Sequence, residues 1–215
     1  MNNSHSESVL VTQELASILS NNPAVTLNIE FTSKVYETIS DYRSQFLKNW
    51  HINKKDAALD IFRAMDELIR TSKSFKKSVI SCRRGCSFCC RILINISEIE
   101  ATILADYCQE NGIEISKNYL EEQMRLDEKA FLSSKVSRCI FLKDHECSVY
   151  AVRPLACRRY YVKSDPQLCN ARKFLGNQQV QRVTSFEMEM LLSAVIPTIS
   201  QGQSRMSEML MPYAL

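Results

Sequence analysis

Residues 82–90 read Cys-Arg-Arg-Gly-Cys-Ser-Phe-Cys-Cys, four thiols in nine positions, and four more follow at Cys139, Cys147, Cys157 and Cys169. Zinc wants four ligands at tetrahedral corners, with Zn–S near ~2.3 Å, and iron–sulfur clusters also select thiolates. A short loop can wrap its sulfurs round one ion, and Gly85 relieves backbone strain in that loop. Eight thiols suit two four-thiolate sites, or one site with spare redox-active thiols. The stretch therefore marks a small cysteine-rich module, organised by metal, inside an otherwise helical chain.

The rest of the chain agrees. It has 215 residues, 45% of them hydrophobic, with four glycines and five prolines, which favours helix over a turn-rich β architecture. Nine cysteines is an odd number, so a complete disulfide framework would leave one thiol over. The opening MNNSHSES lacks a basic and apolar leader. No stretch approaches the roughly 20 apolar residues that span a bilayer. These features predict a cytoplasmic protein with no membrane contact, where structural disulfides are disfavoured. The net charge of +3 does not by itself imply nucleic acid.

Upstream of the cysteines, apolar residues recur at helical spacing. Val11, Leu15, Ile18 and Leu19 share a face over 9–20, which Asn21-Asn22-Pro23 ends. Phe31, Val35, Ile39, Tyr42, Phe46 and Trp50 do so over 31–50, and Ala58, Ile61, Phe62, Met65, Leu68 and Ile69 over 56–70. This helical lead reads as a scaffold or as a surface for a protein partner. Downstream, Ser97-Glu98-Ile99-Glu100 is a capping box opening a helix that Asn111-Gly112 closes. A further helix starts at Ser116 with Leu120, Met124 and Phe131 inward. Cys139-Ile-Phe-Leu and Cys147-Ser-Val-Tyr flank a polar Lys-Asp-His-Glu turn, which predicts a short hairpin. A last helix is expected from Thr184 to Pro197. The expected organisation is a flexible start at 1–8, a helical lead at 9–70, a metal-binding domain with a closing helix at 71–199, and a tail at 200–215.

Individual residues refine the site. Cys108 falls with Ala101, Leu104 and Ala105 on one apolar stripe, so it reads as core packing and not as a ligand. Adjacent Cys89 and Cys90 point in different directions from an extended backbone, so they either link two metals or leave one thiol in reserve. Arg83, Arg84, Arg91, Arg138, Arg153, Arg158 and Arg159 crowd the cysteines. Two zinc ions on eight thiolates carry a formal charge of about −4, which such cations offset, and guanidinium groups can hydrogen-bond thiolate or sulfide. His145 is either an auxiliary ligand or a solvated turn residue.

CRRGCSFCC at 82–90, CIFLKDHECSVYAVRPLACR at 139–158 and Cys169 together resemble the CxxCxxCC family of zinc- or iron-chelating proteins, the YkgJ-type cysteine-cluster proteins. Arg153-Pro154 ahead of Cys157 matches that family's arginine-proline pair. The resemblance implies metal chelation by Cys82, Cys86, Cys89, Cys90, Cys139, Cys147, Cys157 and Cys169. The cluster is also similar to that of bacterial flagellin lysine N-methylases, which implies an S-adenosylmethionine-dependent, iron–sulfur protein-modifying enzyme as an alternative. The chain is short for that task and shows no Gly-rich nucleotide loop.

Three further readings stay open. Cys82-x3-Cys86-x2-Cys89 has the spacing of radical S-adenosylmethionine enzymes, although residues 98–132 read as consecutive helices instead of strand–helix units. Residues 70–91 hold seven basic and no acidic residues, with Phe75 and Phe88 between them, which suits phosphate contact. Charge compensation of thiolates accounts for the same residues and argues against nucleic acid. Surplus thiols also suit metal trafficking or sensing. The expectation is a mainly α metal-binding protein, carrying an iron–sulfur cluster or zinc, with iron–sulfur favoured by the triplet and the arginines.

Overall fold

The computed structural model describes residues 12–21, 29–170 and 180–215. The expected flexible start at 1–8, Val11 and the Asn22-Pro23 stop lie outside the described residues. Among the described residues helix dominates, with three two-residue antiparallel pairings and a cysteine-rich region. In chain order the helices are α1 (Gln13–Ser20), α2 (Ile29–Ile52), α3 (Lys54–Thr71), α4 (Glu98–Glu110), α5 (Lys117–Met124), α6 (Glu128–Ser133), α7 (Leu155–Arg158), α8 (Phe186–Ile199) and α9 (Met206–Leu210). The strands are β1 (Asn95–Ile96), β2 (Leu142–Lys143), β3 (Glu146–Cys147), β4 (Tyr161–Val162), β5 (Arg182–Val183) and β6 (Ser204–Arg205). No helix among the described residues is long and apolar enough to cross a membrane.

The chain divides into two compact units, Met1–Ala57 with Ser185–Gln201, and Ala58–Thr184 with Gly202–Leu215. In the first, α8 packs against α1 and α2. Its run of apolar residues buries Met188, Leu191, Leu192, Ala194 and Val195. A helix apolar nearly all round belongs between neighbours. Leu15 of α1 and Val35, Ile39 and Phe46 of α2 are buried, as their spacing predicts, whereas Phe31 and Tyr42 are exposed at the stripe's margin. Thr12 caps α1 by accepting from Leu15 N–H at 3.1 Å, and its hydroxyl donates to buried Glu189 at 2.8 Å. The expected closing helix thus serves the helical unit.

The second unit holds the cysteines. Ile96, Ala101, Leu104, Cys108, Leu120, Phe141, Val149, Met206 and Leu210 form its core. Glu100 reaches back to Ser97, completing the capping box that starts α4. The helix opened by Ser116 ends at Met124, because Asp127 accepts from Ala130 N–H and caps a separate α6. Met124 is consequently exposed, while Leu120 and Phe131 are inward. The stretch read as a tail is woven in. Strand β6 pairs with β1, placing Asn95 opposite Arg205, and α9 packs on α4 and α5. Leu215 N–H donates to Ile115 O at 3.1 Å and its carbonyl accepts from Lys117 N–H at 3.2 Å.

Candidate metal centre

The first cysteine loop is anchored before it begins. Ser81 N–H donates to Val162 O at 2.8 Å and its hydroxyl to Lys163 O at 3.0 Å, which lays Cys82 beside β4. Gly85 adopts φ +82°, a left-handed conformation that costs side-chain-bearing residues strain. The reversal next to it lets Cys86 N–H donate to Arg83 O at 3.0 Å. A 3₁₀ turn, Phe88–Arg91, then carries Cys89 and Cys90. That turn packs on a second one, Pro166–Cys169, started by Asp165, whose side chain accepts from Gln167 N–H.

The second group arrives from three directions. Cys139 N–H donates to Cys90 O at 2.6 Å. The predicted hairpin forms with Leu142 opposite Cys147, turning through Asp144 at φ 48° and His145 at φ 63°. Two positive-φ residues in a two-residue loop match the twist of paired strands, and Asp and His tolerate that region better than most residues. Arg84 bridges Glu146 at 2.7 Å and Ser87 Oγ meets His145 Nδ1 at 3.3 Å, so the hairpin tip touches the first loop. His145 is exposed at that tip.

Cys157 sits on α7, whose start is fixed by a buried acid. Glu100 is 2% exposed. One carboxylate oxygen accepts from Ser97 N–H and Oγ at 2.8 and 2.9 Å, the other from Leu155 N–H at 2.8 Å. The capping residue of α4 therefore also caps the helix that presents Cys157, a second role with no sequence signal.

All nine cysteines are free thiols. The thiol of Cys89 is hydrogen-bonded with Cys90, and its nearness is among the causes that raise the thiols of Cys82, Cys139, Cys147, Cys157 and Cys169. Burial, followed by mutual repulsion, pushes the thiol of Cys157 up to about 12 and that of Cys169 to about 11. Cys139, Cys82 and Cys147 rise for the same first reason. The hydrogen bond with Cys90, then burial, raises Cys89. Cys108 lies apart in the apolar core, and burial raises its thiol to about 11. Among the described residues, no three His, Cys, Asp or Glu side chains form a closed ligand set.

The arginines separate by what they touch. Arg158, 1% exposed, is committed elsewhere: it bonds Asp66 and the carbonyls of Ala151 and Arg153, and stacks 4.5 Å over Phe62. Arg84 is spent on Glu146. Arg153 is the guanidinium whose charge acts on Cys82, Cys89, Cys147 and Cys157. It stacks 4.2 Å over Tyr150 and donates to Tyr161 OH at 2.9 Å. Its Nε–H is buried without a hydrogen-bond partner among the described residues. A buried orphan donor beside thiols fits a centre in which some of them become thiolates. Tyr160, unnoticed in the sequence, hydrogen-bonds Cys169, and burial followed by that thiol pushes its phenol up to about 12. A cleft of about 280 Å³ walled by Arg83, Arg84, Cys86 and Gln167 opens this side of the cluster to solvent.

Residues 81–181 match the CxxCxxCC family, described as a "Putative zinc- or iron-chelating domain". No curated protein and no solved structure matches the chain.

Proposed function

We propose that this chain, whose residues 81–181 match the CxxCxxCC family, holds iron or zinc through Cys82, Cys86, Cys89, Cys90, Cys139, Cys147, Cys157 and Cys169. The observation that supports the reading is that the turn of Cys89 and Cys90 packs on the turn ending at Cys169 and accepts, at Cys90 O, from Cys139 N–H. Bringing so many buried thiols together without disulfides raises their cost of ionisation, and a soft cation offsets that cost. The Cys82-x3-Cys86-x2-Cys89 triplet and the charge of Arg153 favour an iron–sulfur form over zinc. A reducing cytoplasm keeps the thiols available for either.

Anaerobic purification followed by elemental analysis, acid-labile sulfide assay and a visible spectrum tests this. Brown protein with iron and sulfide is the expected result. Colourless protein with about two zinc ions per chain supports chelation and rejects the iron–sulfur form. A preparation with neither metal, and none taken up under reducing conditions, overturns the reading.

The opening at Cys86 favours a second use, transfer of the metal to another thiol-bearing protein. A chelator removing the metal within minutes from the native chain is its expected signature, and a centre released only by unfolding contradicts it.

A further inference from the structure

We infer that Gln123, on α5, is a positioning residue for Cys139, with Tyr119 as its auxiliary. The two side chains grip the backbone that delivers Cys139 to the turn of Cys89 and Cys90. The bearing of this grip on function rests on the metal-binding reading above, while the grip itself is built of hydrogen bonds.

Cys139 follows a segment that belongs to no helix or strand. Val136, Ser137 and Arg138 make a tight reversal in which Arg138 N–H donates to Val136 O at 2.7 Å. So short a loop leaves most of its carbonyl capacity to be satisfied from outside. Val136 O and Arg138 O both accept from Gln123 Nε2, at 3.0 and 2.7 Å. Tyr119 OH reaches the same two oxygens at 3.3 and 3.0 Å. Ser137 O, between them, accepts from Arg91 Nη1 at 3.5 Å. The next backbone group, Cys139 N–H, donates to Cys90 O at 2.6 Å.

Donor chemistry makes Gln123 the principal of the pair. A primary amide carries two N–H donors and serves both carbonyls at once, whereas a phenol has one and serves a single carbonyl at a time. Gln123 is 4% exposed, so water cannot readily take its place. Tyr119 and Gln123 stand one turn apart on α5 and face the same way. Their helix is a firm base, because Leu120 lies in the core and α9 packs against it. The amide thereby carries the position of α5 to the residue beside Cys90.

The test uses the full metal-free chain, reduced and then freed of reductant under anaerobic conditions. A short pulse of iodoacetamide, followed by peptide mass spectrometry, gives the alkylation rate of every cysteine in one sample. Gln123→Met keeps the length of the side chain and removes both donors. It is expected to raise the rate at Cys139 about tenfold and to leave Cys108, in the core that also holds Leu120, within about twofold. Tyr119→Phe leaves the amide in place and should raise Cys139 by less, about threefold. A merely structural role for Gln123 would loosen the whole core and raise Cys108 together with Cys139. That result overturns the proposal, as does an unchanged rate at Cys139. Where circular dichroism shows Gln123→Met unfolded, Gln123→Glu, of the same shape and without a donor at neutral pH, is read in its place. Loss of the fold in both overturns the proposal, because Gln123 would then hold the unit and not Cys139. Iron or zinc offered to the same proteins reads the metal-binding function separately. Gln123→Met is expected to release metal to a chelator about tenfold faster than the parent, and equal release overturns the functional bearing of the grip. A parent chain that takes up neither metal overturns chelation and leaves the alkylation result standing.

Discussion

Glu100 shows how one side chain can serve two helices. It accepts three hydrogen bonds while buried, two from Ser97 at the start of α4 and one from Leu155 at the start of α7. Glu100→Ala orphans all three donors and should destabilise the second unit by about 3 kcal/mol, measured by denaturant unfolding. Glu100→Gln should lose less, because its amide oxygen still accepts. Arg153 makes a contrasting case. Its Nε–H faces no protein acceptor among the described residues, so Arg153→Met should lower metal affinity about tenfold, beyond any loss of apo stability from its contacts with Tyr150 and Tyr161. An equal affinity in the variant would remove Arg153 from the centre. The capping box was readable in Ser97-Glu98-Ile99-Glu100, but the bond to Leu155 spans 55 positions and leaves no local pattern. Likewise, seven arginines near cysteines were visible, whereas only tertiary contacts separate Arg153 from Arg158, four and one positions from Cys157.

Among elements, periodicity located the helices well where a stripe was long. The stripe over 31–50 became α2 at Ile29–Ile52, and that over 56–70 became α3 at Lys54–Thr71. The hairpin at Cys139–Cys147 followed from its polar turn. Short elements were less legible. Asp127 divides the helix that starts at Ser116, since a local cap outweighs a weak apolar repeat. Residues 200–215 carry no strong period, yet pairing with β1 and burial of Met206 and Leu210 incorporate them. Each buried side chain of that size contributes roughly 1.5–3 kcal/mol. Deletion of 203–215 should therefore lower the thermal midpoint of the full chain sharply and expose apolar surface to a hydrophobic dye. An unchanged midpoint would show that β6 and α9 are dispensable.

For the whole molecule, the gathered thiols give the metal-free protein an unusual dependence on pH. Cys157 is raised to about 12, and Cys169 and Cys108 to about 11, from an ordinary 9.0. An acid whose folded value is raised binds its proton more tightly in the native state. Its contribution is complete below the unfolded value and is lost as pH rises towards the folded one. The metal-free chain should thus keep its denaturation midpoint up to about pH 8 and lose it progressively by about pH 11. The loaded chain should behave oppositely, shedding metal as protons compete for thiolate in acid. A flat alkaline profile would contradict the burial of these thiols. Spacing alone set Cys108 on an apolar stripe, and it lies in the hydrophobic core. The same spacing gave no sign that the 3₁₀ turn ending at Cys169 packs on the turn of Cys89 and Cys90, a contact made across about 80 positions.

Metal content per chain in Cys157→Ser and Cys108→Ala, beside the parent and under anaerobic conditions, tests the separation of Cys108 from the proposed ligands most directly. Loss of metal in Cys157→Ser and full retention in Cys108→Ala is the expected result. Equal metal content in all three proteins would contradict it.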